Sequence, residues 1–442
     1  MATGYAYRVF GTPTDAKKWT FSAWVKRAKS GTYHIFGGGA TGQTGDGHSY
    51  LGLIPEFYAV YYDGSSSIWN LYSNPKYQDI TGWYHYVFTY DSAQSTASNR
   101  AKCYINGEQV TSFSTETYPS LNYSTMWNNS GITHYLGRRG QSQNFDGCMS
   151  HVHFCDGYAY APSDFGSTDS TTGEWKINTT PSVSYGNNGF WLFKDDASVT
   201  DQSGNGNNFT LSGSITPTQD NPSNNFATGN SLNERFAGSA VLKPTYSQGG
   251  LTYTGTDPSY GTPATSTLVM NKGKFYAEFK ISAVSNGNYR IGVVPLAQWN
   301  NQAWMFGVGY AYHENGTKEH DGANTAYGAS LTTNDIVGIA FDVDNGAIWF
   351  SKNGTWQNSA TISEIAAGTT TNAAFSSITT SGLDWAFVPT PLNNDVIQAN
   401  YGNGYFGSTA VSSAGTNASN IGIFEYDVPT GFTALCTKGL NE

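Results

Sequence analysis

The stretch NDIVGIAFDVDNGAIWFSKNGTW, residues 334–356, decides the fold. Val337, Ile339, Phe341 and Val343 alternate with small or polar residues, so an extended chain gathers all four on one face. Asn345 and Gly346 supply the turn, AIWFSK returns, and Asn353 with Gly354 ends the returning strand. The same signature recurs outward from this hairpin. WTFSAWVKR at 19–27 puts Trp19, Phe21, Ala23 and Val25 on one side, WYHYVFTYD follows at 83–91, and AKCYINGEQV at 101–110 turns at Asn106 and Gly107.

Composition generalises this reading to the whole chain. The 442 residues include 30 Tyr, 24 Phe, 12 Trp and 51 Gly, while charged residues make up only 12%. Roughly a quarter is ordinary for charge, so Lys and Glu are too scarce for long helices. An all-β protein is predicted. The length suggests two or three domains, or two large sandwiches. The net charge of −10, with no Lys/Arg cluster, argues against binding to nucleic acid, which draws on basic patches. MATGYAYRVFG does not read as a signal peptide, and no apolar run approaches the ~20 residues that cross a bilayer, so no membrane insertion is expected. Cys103, Cys148, Cys155 and Cys436 read as reduced thiols; seven residues apart on an extended strand, Cys148 and Cys155 fall on opposite faces.

Between about 212 and 245 the periodicity lapses into SGSITPTQDNPSNNFATGNSLNERFAGSAVLKP, which reads as a linker or an extended strap. The division is therefore 1–215, a strap at 216–245, and 246–442. The first part resembles the laminin G-like, concanavalin A-like jelly roll, carried by WTFSAWVKR, WYHYVFTYD, YINGEQV, FDGCMSHVHFCDGYAYAPSDFG at 145–166, and GFWLFKDD followed by DQSGNGNNF. The last part resembles a SPRY domain, carried by GKFYAEFKI, YRIGVVP, the 334–356 hairpin and FVPTPLNNDVIQANYGNGYF at 387–406. Two tandem antiparallel β-sandwiches are implied. The arrangement as a whole, with the strap DNPSNNFAT and the closing PTGFTALCT, resembles the glycine- and aromatic-rich virion proteins of marine tailed bacteriophages. Such fibres often begin with a separate tail-attachment module, whereas here the first sandwich starts near residue 5.

Several residue sets invite chemistry. The insertion QWNNQAWMFGVGYAYHENGTKEHDGANTAYG, 298–328, combines Trp299, Trp304, Tyr310, Tyr312 and His313 with Asn300, Asn301, Asp321 and Asn324. Rings stack on the C–H faces of sugars and polar loops bond their hydroxyls, so these are the glycan-binding candidates. The resemblance implies that SPRY loops form a ligand surface falling partly on this stretch. The Gly-rich loop at 35–50 is a second candidate.

Asp201, Ser203, Asn205 and Asn207 in DQSGNGNN carry alternating oxygens, loosely like a calcium loop, but Ser212 stands where a bidentate Glu would close it. An Asx-rich turn is the simpler account, with calcium as a candidate and no cofactor required. His151, His153 and Cys155 share a strand face without a convincing fourth ligand and read as neutral imidazoles on an outer face.

Catalysis is not expected. Glycan hydrolysis on this kind of sandwich needs two carboxylates roughly 5–9.5 Å apart. The pattern E-x-D-x-x-E does not occur, Asp195 and Asp196 point to opposite faces, and Asp342 with Asp344 sits at a turn. No G-x-S-x-G elbow is present.

The expectation is a phage virion protein exposed on the particle surface as a tail fibre, spike or head appendage. It would be made in the host cytoplasm, assembled as a homo-oligomer with a trimer favoured, docked to tail, neck or capsid proteins, and bound to host-surface glycans. A purely structural capsid decoration or connector is the alternative within the virion, and a glycan depolymerase the alternative by chemistry.

Overall fold

The computed structural model describes residues 4–39, 48–53, 55–139, 144–194, 198–237, 240–285, 287–299 and 306–441, without the side chains of His48, Ala237, Ala240 and Trp299. Strand accounts for 42% and helix for 4%, so the helix-poor, all-β expectation holds. The chain forms two units, Met1–Pro217 and Thr218–Glu442.

The first unit is a sandwich of antiparallel sheets. One runs Phe113–Thr117, Ser67–Lys76, Glu56–Tyr62, His48–Leu53, Tyr33–Gly39, Thr133–Leu136, Tyr5–Val9, Thr210–Ser212 in spatial order. The other runs Phe190–Leu192, Gly147–Asp156, Lys18–Arg27, Tyr84–Asp91, Ala101–Ile105, Glu108–Gln109. Alternation decides which side chains meet between them. Trp19, Phe21, Ala23 and Val25 all point into the core, as their spacing predicts. Trp19 sits 5.0 Å from Trp127, and Phe21 stacks on Phe36 at 4.6 Å. The turn at Asn106 and Gly107 forms as predicted, with φ of 48° and 84°, the left-handed pair that a two-residue hairpin needs.

One strand departs from simple alternation. Ser150 pairs with Trp24, but His153 pairs with Ser22, so one extra residue is accommodated as a bulge and His151 takes φ of 47°. The bulge reverses the parity of everything beyond it. Cys148 opposite Lys26 and Cys155 opposite Thr20 therefore share a face, contrary to the sequence reading, and none of the four cysteines is in a disulfide.

The outer face of this sheet is covered by the chain itself. His85 is stacked between Trp24 at 4.9 Å and Trp175 at 6.0 Å. The Trp175 indole donates to His85 Nδ1 at 3.0 Å, which leaves Nε2 to donate to Ser22 Oγ at 2.8 Å. His153 packs against Phe165, Tyr185 and Trp191 on the same face. Burial pushes the His85 imidazole down to about 3 and holds that of His153 well below the ordinary range, so both are neutral.

In the second unit one sheet runs Thr245–Ser247, Thr252–Thr254, Val396–Asn400, Lys274–Ala283, Ile336–Asp342, Ala347–Lys352, Thr355–Trp356, with Thr433–Ala434 parallel to Lys274–Ala283. The facing sheet runs Ala323–Ala326, Thr317–His320, Tyr310–His313, Arg290–Pro295, Trp385–Thr390. Val337, Ile339, Phe341 and Val343 all enter the core between them. The turn is longer than two residues: Asp342 pairs with Ala347, so Val343–Gly346 form a four-residue connection. Asn353 and Gly354, by contrast, make a two-residue turn into one more short strand, Thr355–Trp356.

Within the 216–245 stretch, the segment from Asp220 to Thr228 packs on this second unit. Phe226 is 1% exposed in a cluster with Trp349, Phe424 and Phe432, and Ala227 donates its N–H to the Leu435 carbonyl. The strap is therefore tied to the closing segment of the chain.

Candidate functional site

A groove of about 300 Å³ opens on the second unit beside the strands Arg290–Pro295, Tyr310–His313 and Thr317–His320. Pro295, Val308 and Leu383 give it an apolar floor, Tyr310 and Trp385 give it rings, and Gln298, His320, Ser377 and Thr379 give it polar groups. Local sequence explains how these meet. Asp321 and Gly322, with φ of 50° and 71°, form a two-residue turn that folds Ala323–Ala326 back on Thr317–His320 and fixes the register of His320. In Tyr310–His313, residues 310 and 312 face the core side while Ala311 packs on the opposite face with Val294, Phe306 and Val388.

Tyr310 lies where this core reaches the groove. Its ring is 4.9 Å from Phe375 and 6.0 Å from Trp385, and His320 lies flat on it at 4.0 Å and 12°. His320 Nδ1 is 2.8 Å from the Gly309 carbonyl oxygen. A carbonyl can only accept, so Nδ1 carries a proton in this bond. Lys318, on the same hairpin, donates to the Ala374 carbonyl and lies 5.0 Å over the Phe375 ring; its burial lowers the ammonium pKa. No carboxylate is among the described residues lining the groove.

The sequence candidates are dispersed by this geometry. Tyr310 lines the groove. Tyr312 is 0% exposed in the core, its hydroxyl bonded to the Ala329 carbonyl, and His313 is 5% exposed against Asn288 and Glu314. Both are interior residues: Tyr312 faces the same side as Tyr310 but lies deeper in the core, and His313 points to the opposite face of the strand. Asp321 is the exposed turn residue, and exposed Asn324 accepts from Thr317 Oγ1 across the hairpin. Trp304, Asn300 and Asn301 lie outside the described residues, as does the Trp299 side chain. Residues 40–47 of the Gly-rich loop, and Asp195 with Asp196, also lie outside them.

Family comparisons match two regions. Residues 3–161 fit the concanavalin A-like lectin/glucanases superfamily, in its laminin G-like form, and residues 274–403 fit the SPRY domain. The chain carries a laminin G-like domain followed by a SPRY domain. Among solved structures, the SPRY domain of human HERC1 is 15% identical, covering 34% of this chain and 87% of that one, with a TM-score of 0.27. A heptameric SAP-like pentraxin from Limulus polyphemus is 14% identical, covering 36% and 72%, with a TM-score of 0.27. A curated relative, the ATP-dependent RNA helicase DDX1 of Xenopus laevis, is 36% identical over 90 residues, which is 20% of this chain and 12% of that protein.

The groove thus belongs to the SPRY domain. Sequence reasoning reached Tyr310 but missed His320, Ser377, Thr379 and Trp385. The Asp321–Gly322 turn signal could have placed His320 at a hairpin end; Ser377, Thr379 and Trp385 arrive from a distant segment that no local pattern links to it.

In the unit that holds the laminin G-like domain, the Asp201 loop is closed by its own hydrogen bonds. Asp201 Oδ1 accepts from the N–H groups of Trp191 and Ser203, and Oδ2 from Ser203 Oγ and the N–H of Asn207. Asn205 donates to the Gly186 and Gly189 carbonyls, while the Arg8 guanidinium donates to Asn207 Oδ1. These oxygens serve an Asx-type turn docked on Arg8. Asp342 and Asp344 are likewise structural: Asp342 holds Lys274 at 3.0 Å and the N–H of Asn345, and Asp344 accepts from the N–H of Gly273.

Proposed function

We propose that this chain is a bacteriophage virion protein displayed on the particle surface, which binds host-surface glycans during adsorption through the groove of its SPRY domain. The groove carries the reading. It is an open concavity whose lining mixes apolar side chains and rings with polar groups in similar measure, which suits a ligand with both hydroxyls and C–H faces. Binding rather than catalysis suits a lining that, among the described residues, lacks the paired carboxylates of glycan hydrolysis.

The virion context rests on the whole-chain resemblance in composition and order: two aromatic-rich sandwiches, a strap and a tied-down closing segment. Docking to tail, neck or capsid proteins and assembly as a homo-oligomer, most simply a trimer, would display the groove many times over. Avidity then raises the effective strength of a weak sugar site. Synthesis in the host cytoplasm agrees with four thiols outside any disulfide. The test is adsorption: purified chain should bind host cells and compete with the phage for them. Failure to do either would leave the structural decoration role.

A further inference from the structure

We infer that the first unit carries a glycan subsite of its own, in which Arg138 and Arg139, on the outer face of a sheet, hold the carboxylates of an acidic sugar chain. This goes beyond the groove and does not depend on it. Register defines the face. Ala6, Leu136, Phe36 and Leu51 form a cross-strand row that enters the core, so the neighbouring row, Tyr7, Tyr135, Gly37 and Tyr50, projects to the other side. The backbone of Arg138 and Arg139 passes directly over Gly37, where a Cβ would stand 3.1 Å from the Arg138 carbonyl oxygen and 3.5 Å from Arg139 Cα.

Both guanidinium groups rest on rings and lack a protein acceptor. Arg138 lies 4.2 Å over Tyr5, which with Tyr7 and Tyr135 forms a cluster of rings 6.1 to 6.4 Å apart, and Arg139 lies 4.5 Å over Tyr50. Arg8, Arg27, Arg100 and Arg290, by contrast, each donate to a side-chain or backbone oxygen. Among the described residues no side-chain hydrogen bond or ion pair holds Arg138 or Arg139, and of their guanidinium nitrogens only Arg138 Nε is cut off from solvent. The terminal nitrogens therefore present an unused fork of donors, each steadied by the ring beneath it.

The chemistry of these groups names the ligand. A planar guanidinium fork matches a planar carboxylate, and no Asp or Glu stands in the outward row to compete for it. The rings that carry the two arginines belong to strands three places apart in the sheet, Tyr5–Val9 and His48–Leu53, about 14 Å at ordinary strand spacing. One chain with repeated carboxylates can meet both; a small anion cannot. The half-buried rings of Tyr5 and Tyr7 suit the C–H faces of its sugars. Nucleic acid fits less well, because two arginines in a chain of net charge −10 supply little of the counterion release that drives binding to phosphate backbones.

Two fork contacts make a weak site, so binding is read in solution, without surface capture. Oligogalacturonate is titrated into the full chain by calorimetry, beside neutral dextran oligosaccharides and a dT oligonucleotide, and phenylglyoxal labelling followed by mass spectrometry reports the two arginines in the unaltered chain. The uronate chain should bind and shield Arg138 and Arg139 from labelling, while dextran should leave both open to it. R138Q/R139Q, its fold checked by a thermal melt, should weaken uronate binding by about tenfold or more. R138K/R139K keeps the charge but not the fork and should recover little of that loss. If the double variants do not fold, the labelling decides. No uronate binding, affinity unchanged in R138Q/R139Q, full recovery in R138K/R139K, labelling unaltered by the uronate chain, or tighter binding of the oligonucleotide would each overturn the inference, and each would leave the groove reading standing.

Discussion

His320 lies flat on Tyr310, ring centroids 4.0 Å apart and planes 12° apart, in the wall of the SPRY groove. The stack joins two neighbouring strands and sets the imidazole in one orientation, so the two rings form one continuous surface in the groove. Y310A removes the support. The variant should lose at least tenfold in glycan affinity while losing about 2 kcal/mol of stability, a few degrees in Tm, because the ring is only partly buried. Y310F should keep both. Calorimetric titration and melts of the two variants check this; equal affinity in Y310A would remove Tyr310 from the site.

Glu278 is a buried carboxylate that latches the closing segment. It is 0% exposed and accepts from Tyr276 Oη at 3.1 Å, the N–H groups of Glu425 and Tyr426 at 2.8 and 2.9 Å, and Asn400 Nδ2 at 3.3 Å. E278A would leave those four donors unmet. A loss of about 3–5 kcal/mol is expected, together with faster proteolysis within 412–428. Melts and timed digestion followed by mass spectrometry measure both.

The two units should respond to acid in opposite directions. Burial pushes the imidazoles of His85 and His134 down to about 3 in the first unit and the carboxyl of Glu278 up to about 7 in the second. Below about pH 6.5 an unfolded chain protonates its histidines while the fold keeps these two neutral, so their stabilisation declines as pH falls from there toward 3. Glu278 has the opposite sign: its contribution is complete below the ordinary glutamate value of 4.5 and disappears as pH rises through 7. From pH 7 to 5 each histidine should cost the first unit about 2 kcal/mol, and Glu278 should add about 2 kcal/mol to the second. Calorimetry of the full chain should show one transition falling and the other rising; parallel movement, or no change with E278Q, would contradict this.

The Asp201 loop predicts a contrast between substitution and chelation. D201A should cost about 2–4 kcal/mol, because it strips partners from the buried N–H groups around it, whereas a calcium chelator should leave the melt of the wild-type chain unchanged. A chelator-sensitive melt would restore calcium to this loop.

Much of the fold is legible in local alternation. Val337 through Val343 and Trp19 through Val25 point inward as period two dictates, and Asn106 with Gly107 turns where expected. What local reading misses is set by distant pairing. The bulge at His151 is invisible until Gly147–Asp156 is laid against Lys18–Arg27, and it alone reverses the faces of Cys148 and Cys155. The groove is similar. Tyr310 and His320 come together through a hairpin whose turn residues are in plain view, but Trp385 joins them across 65 residues. Alternation puts Tyr310 and Tyr312 on one face, and only the depth of each in the packed core, which no local pattern shows, separates the groove-lining ring from the buried one.

The central claim, that the SPRY groove holds a host glycan, is tested most directly by a glycan array probed with the full chain and with a Y310A/H320A double variant of verified fold. The wild type should bind a restricted set of bacterial surface sugars and the double variant should bind none of them. Equal binding by both proteins would place recognition elsewhere, and an array blank for both would contradict the claim.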